Sequence, residues 1–337
     1  MRRSGWKLLT PIARTLPAIA HPGRTDADGG HYCRTNCAKW GLEDGEYHKH
    51  DGSSAATEKE PVKTEEPKNS TPASLKVEKL TAPTKGKLSV YYLNVGQGDA
   101  TYIKTAAGDD ILIDGGNNNA GDTVVAYLKQ LGVDDIEVMI STHPDADHVG
   151  GLDSVFKAFK VENVYAPKVS HTTQTFKDFL NAVKAEKLTI KEAKAGVTLP
   201  LKGVTAKFVG PIKAYAASEL NDWSAVLHLT YGTNTFLFTG DAESKSLSDM
   251  MKAKATLKAD VLKVGHHGSN TSTSAAFLKV VSPKYAVISV GKNSYGHPTK
   301  SVLDALKAAK ATIYRTDLNG TVTAVSDGKM ITIKKVK

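Results

Sequence analysis

The chain has 337 residues, of which 40% are hydrophobic and 23% charged, with a formal net charge of +9 at pH 7. That apolar share excludes a wholly disordered polymer, two cysteines exclude a disulfide-stapled scaffold, and the lack of any apolar run of about 18 residues excludes a transmembrane helix. The positive balance favours anionic polymers without choosing among them, because attraction to a phosphate backbone is independent of sequence.

Residues 1–20 open with Arg2, Arg3 and Lys7, pass through Leu8-Leu9 and Ile12-Ala13, and reach the small-x-small step Ala18-Ile19-Ala20. A signal peptide is expected there, with export to a secreted or cell-surface location. Arg14 interrupts the apolar stretch and leaves a short basic leader as the other reading. Residues 21–50 hold His21, His31, Cys33, Cys37, His48 and His50 in a segment too poor in apolar residues to build a core unaided. Cys33 and Cys37 admit either a disulfide, which export favours, or zinc ligation with neighbouring histidines. Residues 51–85 are rich in Glu, Lys, Pro, Ser, Thr and Ala and carry no aromatic side chain, the composition of a disordered tether. The globular domain is then 86–337.

Within that domain, period-two or short apolar runs predict strands at Leu88 to Leu93, Ala100 to Lys104, Ile111 to Ile113, Ile136 to Ile140, Val204 to Val209, Ala225 to Tyr231, Thr235 to Phe238, Val261 to Val264, Ala286 to Ser289, Ala311 to Tyr314, Val322 to Val325 and Ile331 to Val336. Helical spacing predicts Asp122 to Leu131, Leu152 to Phe159, Thr173 to Lys187, Ala242 to Lys252, Ser274 to Val280 and Lys300 to Ala309. The pattern defines a mixed α/β domain. His228, alternating with Leu227 and Leu229, reads as a packed strand histidine.

The densest chemistry comes after the fourth strand, in Ser141-Thr142-His143-Pro144-Asp145-Ala146-Asp147-His148-Val149-Gly150-Gly151. Pro144 takes the chain off the strand, so the four metal-capable side chains sit on a loop. In an extended loop His143, Asp145 and Asp147 would share one side while His148 points elsewhere, an arrangement suited to two neighbouring ions. Gly150-Gly151 would then turn the backbone sharply into the next helix.

At these residues the sequence resembles the metallo-β-lactamase superfamily, and more narrowly the hydrolase domain of ComEC-type competence proteins. The resemblance runs from Leu88 to Val336. It is carried further by Asn94-Val95-Gly96-Gln97-Gly98-Asp99-Ala100, Leu112-Ile113-Asp114-Gly115-Gly116, Asn221-Asp222-Trp223-Ser224, Phe238-Thr239-Gly240-Asp241-Ala242-Glu243, Leu262-Lys263-Val264-Gly265-His266-His267-Gly268-Ser269 and Tyr295-Gly296-His297-Pro298. It implies a four-layer αββα sandwich with the ligand loops on one edge. It implies two divalent ions, Zn or Mn. The first would be held by His143, Asp145 and a shared Asp241; the second by Asp147, His148, Asp241 and one of His266 or His267, between which sequence does not choose. Asp145 stands where the broad superfamily has a second histidine, so the first position is rich in oxygen donors and suits manganese as well as zinc. Gly29-Gly30-His31-Tyr32-Cys33 and Glu46-Tyr47-His48-Lys49-His50 resemble the small YHYH-type module appended to some secreted bacterial hydrolases, which allows association with the cell wall.

Paired divalent ions lower the pKa of a bound water towards neutrality and neutralise charge growing on substrate oxygens, so no serine or cysteine nucleophile is needed. The resemblance gives Asp147 the further task of orienting that water. His297 would donate a proton to the leaving oxygen or hold a phosphoryl oxygen. Asp99 and Asp114 would hydrogen-bond a ligand or a loop amide, and Asn221, Ser224 and Ser269 would support ligands or contact substrate, or cap local turns. The expected function is a metal-dependent phosphodiesterase acting on DNA. The alternatives are hydrolysis of another ester, such as a phosphocholine-bearing wall polymer, a lactone or a β-lactam, and a non-catalytic metal-binding surface protein.

Overall fold

A computed structural model describes residues 30–32, 47–49 and 76–337. The expected signal peptide, Cys33, Cys37, His21, His50 and most of the expected tether lie outside the described residues. In the amino-terminal unit, Gly30–Tyr32 pairs antiparallel with Tyr47–Lys49, setting His31 opposite His48 and Tyr32 opposite Tyr47. The YHYH-like segment therefore forms at least a short ladder.

The larger unit is built on two sheets. One has eight strands, ordered Ile190–Glu192, Val164–Ala166, Val138–Ile140, Asp110–Ile113, Thr101–Lys104, Leu88–Tyr92, Val322–Ser326 and Ile331–Lys335. The other has six, in chain order: Thr205–Gly210, Val226–Tyr231, Asn234–Phe238, Val261–Lys263, Tyr285–Ile288 and Thr312–Arg315. Their alternating side chains serve two interiors each. Leu88, Val90 and Tyr92 meet Phe208, Leu227, Leu229 and Phe236 between the sheets. Tyr91, Leu93, Leu112 and Met139 turn to the opposite face, where helices Gly121–Gln130, Leu152–Ala158 and Gln174–Ala185 cover them with Val124, Tyr127, Val155 and Phe179. On the far side, Leu237, Leu262 and Ile288 pack under Ser244–Lys252, Ala275–Val281 and Lys300–Ala308. Strands buried on both faces are nearly continuous apolar runs, as a sheet covered by helices requires. The result is the expected αββα sandwich. Among the described residues no helix is long and apolar enough to cross a membrane.

Three details depart from the expected pattern. The run Ile136 to Ile140 is two strands: Asp135–Ile136 pairs with Lys160–Val161, whereas Val138–Ile140 joins the large sheet. Glu137 causes the break, since its carboxylate accepts the Asp110 amide at 2.6 Å. Lys160–Val161, Val164–Ala166 and Ile190–Glu192 are strands without a predicted counterpart, each being too short to show a period. Finally, the packed domain begins ahead of Gly86, because Leu80 is buried in the core and Glu78 accepts hydrogen bonds from the Thr321 amide and the Asn94 side chain. His228 sits buried in its strand, its Nε2 2.9 Å from the Lys258 carbonyl.

Candidate metal centre

The strand Val138–Ile140 delivers Ser141, Thr142 and His143 to one edge of the sandwich. Beyond Pro144 the loop is not extended. The Asp145 carbonyl accepts the amides of His148 and Val149, both at 3.0 Å, and starts the single helical turn Ala146–Val149. That turn corrects the expected direction of His148, whose ring swings in beside His143 with centroids 4.1 Å apart. Gly150 and Gly151 also play a different part from the one expected. Both have ordinary right-handed helical backbones, so freedom to turn is not why they are glycine. A Cβ on Gly151 would lie 2.2 Å from the Gly115 carbonyl oxygen, and one on Gly150 would lie 2.3 Å from the Asn118 amide nitrogen. The ligand loop is thus pressed against its neighbours. Gly151→Ala should destabilise the protein by about 1–3 kcal/mol, the usual cost of overpacking, measured by urea unfolding; an unchanged midpoint would mean the loop can back away.

Asp241 arrives from the second sheet, beyond Asn234–Phe238, with its amide donating to Ser224 Oγ at 3.0 Å. Its Oδ2 lies 3.3 Å from His148 Nε2, 3.5 Å from His267 Nε2 and 3.8 Å from His266 Nε2. His266 and His267 come after Val261–Lys263 with φ of 47° and 50°, a left-handed pair that non-glycine residues seldom adopt. The conformation splays the two rings. His267 turns inward, Nε2 3.2 Å from Asp147 Oδ2 and Nδ1 2.9 Å from the Ser289 carbonyl. His266 turns to Glu243, Nδ1 2.9 Å from Oε1.

Two groups of donor atoms result, His143 with His148 and Asp241, and Asp147 with His148 and His267, the atoms of each lying within 4.8 Å of one another. Asp145 stands beside the first, its Oδ2 3.4 Å from His143 Nε2. His143 Nε2, His148 Nε2 and Asp241 Oδ1 are buried without a hydrogen-bond partner. Buried imidazole and carboxylate atoms are not left unpaired without cost, and their mixture of nitrogen and oxygen suits a borderline divalent cation. Electrostatics agree. Burial opposes charge on His148 and His267, yet Asp241 and the other carboxylates prevail, raising His148 well above its ordinary value and His267 to about 10. Burial opposes charge on Asp241 as well, yet the histidines hold it well below the ordinary carboxylate range. Carboxylates and imidazoles in the cluster thus stabilise opposite charge on one another.

Asp114 Oδ1 accepts the Thr142 amide at 2.8 Å, and its Oδ2 accepts the Thr142 hydroxyl at 2.7 Å and lies 2.8 Å from His148 Nδ1. Asp99 lies 3.4 Å from His267 Nδ1. Lys263, which stands in the Leu262 to Ser269 motif without an expected role, is buried with Nζ 2.5 Å from Asp99 Oδ2. Its signal is a lysine inside the apolar run Val261 to Val264. Glu243 also escapes sequence reasoning; besides His266 it accepts hydrogen bonds from Thr271 Oγ1 at 2.9 Å and Asn221 Nδ2 at 3.3 Å. Ser269 bonds Thr271 rather than the cluster, with hydroxyl oxygens 2.9 Å apart. His297 sets its ring edge-on to His266 at 5.4 Å, with Nδ1 buried and unpartnered. Lys157 and Lys160 pair with Asp153 and Glu162 on the surface.

A helix-clad double sheet with a buried carboxylate and imidazole cluster on one edge defines the class: a hydrolase fold with a candidate metal centre. The chain belongs to the metallo-beta-lactamase superfamily, whose family model matches residues 93–292. It is 33% identical over 248 residues to ComE operon protein 3 of Bacillus subtilis, covering 68% of this chain and 32% of that protein. It is 32% identical over 244 residues to competence protein ComA of Neisseria gonorrhoeae, covering 71% and 32%. Recombination protein 2 of Haemophilus influenzae is 32% identical over 236 residues, covering 68% and 28%. The chain therefore spans less than a third of the length of these relatives.

Proposed function

We propose that the chain is a metal-dependent phosphodiesterase that cleaves DNA. The observation that carries the reading is the convergence of the unpartnered His143 Nε2, His148 Nε2 and Asp241 Oδ1 with Asp147 and His267. His143, Asp145 and Asp241 would hold one divalent ion, and Asp147, His148, His267 and Asp241 a second, zinc or manganese in either place. Bound there, the ions supply Lewis acidity and a nucleophile from water at neutral pH. His266 is assigned to Glu243 rather than to a metal. Asp147 is left partly exposed at the mouth of the cluster, where its carboxylate can orient the attacking water. Burial, with His266 and His267 nearby, lowers the pKa of His297. A neutral imidazole at physiological pH suits a hydrogen bond to a phosphoryl oxygen better than proton donation.

DNA as substrate draws on the names of the relatives, which concern competence and recombination, and on the net charge of +9. Export to the cell surface belongs to the same proposal, with residues 21–50 as a module for wall association. The test incubates purified full-length chain with manganese or zinc and single- or double-stranded DNA, beside an Asp147→Ala/His148→Ala variant. Metal-dependent cleavage by the wild type alone is expected. Turnover of a lactone, a β-lactam or a phosphocholine ester with intact DNA would replace this substrate class with another, and a protein that takes up no ion would leave no metallohydrolase.

A further inference from the structure

The motif containing Tyr295 lies outside the donor cluster, yet it is built to lead into it. Asn293 fastens the loop 291–298 from within: Nδ2 donates to the carbonyls of Gly291 at 2.9 Å and His297 at 2.8 Å, while Oδ1 accepts the amides of Tyr295 and His297, both at 3.1 Å. Gly291 abuts the Gln97 loop so closely that a Cβ would lie 2.4 Å from the Gln97 amide nitrogen. Gly296, at φ 76°, provides the reversal that brings His297 under Tyr295. On this braced loop Tyr295 is 59% exposed. From its ring a file of rings runs inward, 5.7 Å to His297, 5.4 Å on to His266 and 6.1 Å on to the buried His267.

We propose that Tyr295 is a stacking platform for a nucleobase next to the scissile phosphate, a specificity determinant that favours strands whose bases are unpaired. The proposal rests on the phosphodiesterase reading. A base in a duplex has both faces covered by its neighbours, whereas an unstacked base offers a face to an aromatic ring. A large aromatic side chain with few rotatable bonds, carried on a braced loop, loses little freedom on making that contact. Stacking is indifferent to base identity, so the preference concerns strandedness and not sequence.

The experiment compares kcat/KM for a short single-stranded oligodeoxynucleotide and for an otherwise identical abasic strand, using wild type, Tyr295→Ala and Tyr295→Phe loaded with manganese. The wild type should favour the base-bearing strand by about five- to a hundredfold, the scale of one aromatic contact. Tyr295→Ala should bring that ratio towards one, chiefly through KM, and Tyr295→Phe should keep it. Independently of turnover, a 5-iodouracil strand bound to metal-free protein should photo-cross-link to Tyr295. Equal cleavage of the two strands by the wild type, or a ratio unmoved in Tyr295→Ala, would overturn stacking and leave the phosphodiesterase standing. A fall in kcat on both strands with the KM ratio intact would make Tyr295 a mere support for His297, also overturning it. If neither strand is cut, the phosphodiesterase reading fails and stacking fails with it.

Discussion

Asp241→Ala should reduce kcat by about 10⁴ or more, the scale on which a catalytic unit fails when one member is removed. The expectation comes from position. Asp241 is the residue whose carboxylate reaches His148, His266 and His267 at once, and it is supplied by the second sheet. Without it the first donor group keeps only its two imidazoles, and the ligand proposed to join the two ions is gone. Elemental analysis should show the ion content falling from about two per chain to one or none. A variant that keeps both ions and most of its activity would show that Asp241 serves only to compensate the histidines. Thermal unfolding of the metal-free variant checks that the fold survives.

Asp114→Asn should weaken metal binding by about 10- to 100-fold although Asp114 need touch no ion. The backbone tolerates the change, since φ at Asp114 is 60° and asparagine accepts the left-handed region. The chemistry does not. Asp114 Oδ1 must accept the Thr142 amide, so the new NH₂ group falls where Oδ2 now faces His148 Nδ1. An amide donor there forces His148 to accept at Nδ1 and carry its proton on Nε2, the atom that otherwise faces Asp241. The wrong tautomer cannot offer a lone pair to a cation. The Thr142 hydroxyl also loses its acceptor, costing about 1–3 kcal/mol of stability. Metal titration by calorimetry and urea unfolding in chelator separate the two effects. A metal affinity equal to wild type would exclude control of the His148 tautomer by Asp114.

The layers of the sandwich were legible because their strands carry long alternating apolar runs, as in Leu88 to Leu93 and Ala225 to Tyr231. Ile190–Glu192 was not legible: three residues at an exposed sheet edge need no hydrophobic period. The site divides in the same way. Residue types and motif order suggested the candidate donors, but conformation decides which of them face one another. An extended loop would direct His148 away from His143, and a single helical turn reverses it. His266 and His267 are equivalent as letters, and only their left-handed backbone sends one to Glu243 and the other to Asp147. Lys263 escapes notice because a buried lysine is indistinguishable from a surface one until Asp99 is found opposite it.

The donor cluster lies on a seam. His143, Asp145, Asp147 and His148 come from the first sheet, while Asp241 and His267 come from the second, on the far side of nearly a hundred intervening residues. No fragment of the chain ending before Gly268 can assemble it. During synthesis the nascent polypeptide therefore lacks a finished trap for cations until most of the sandwich has emerged. The last strands then complete the first sheet, Val322–Ser326 pairing against Leu88–Tyr92 and Ile331–Lys335 adding beyond it as the edge.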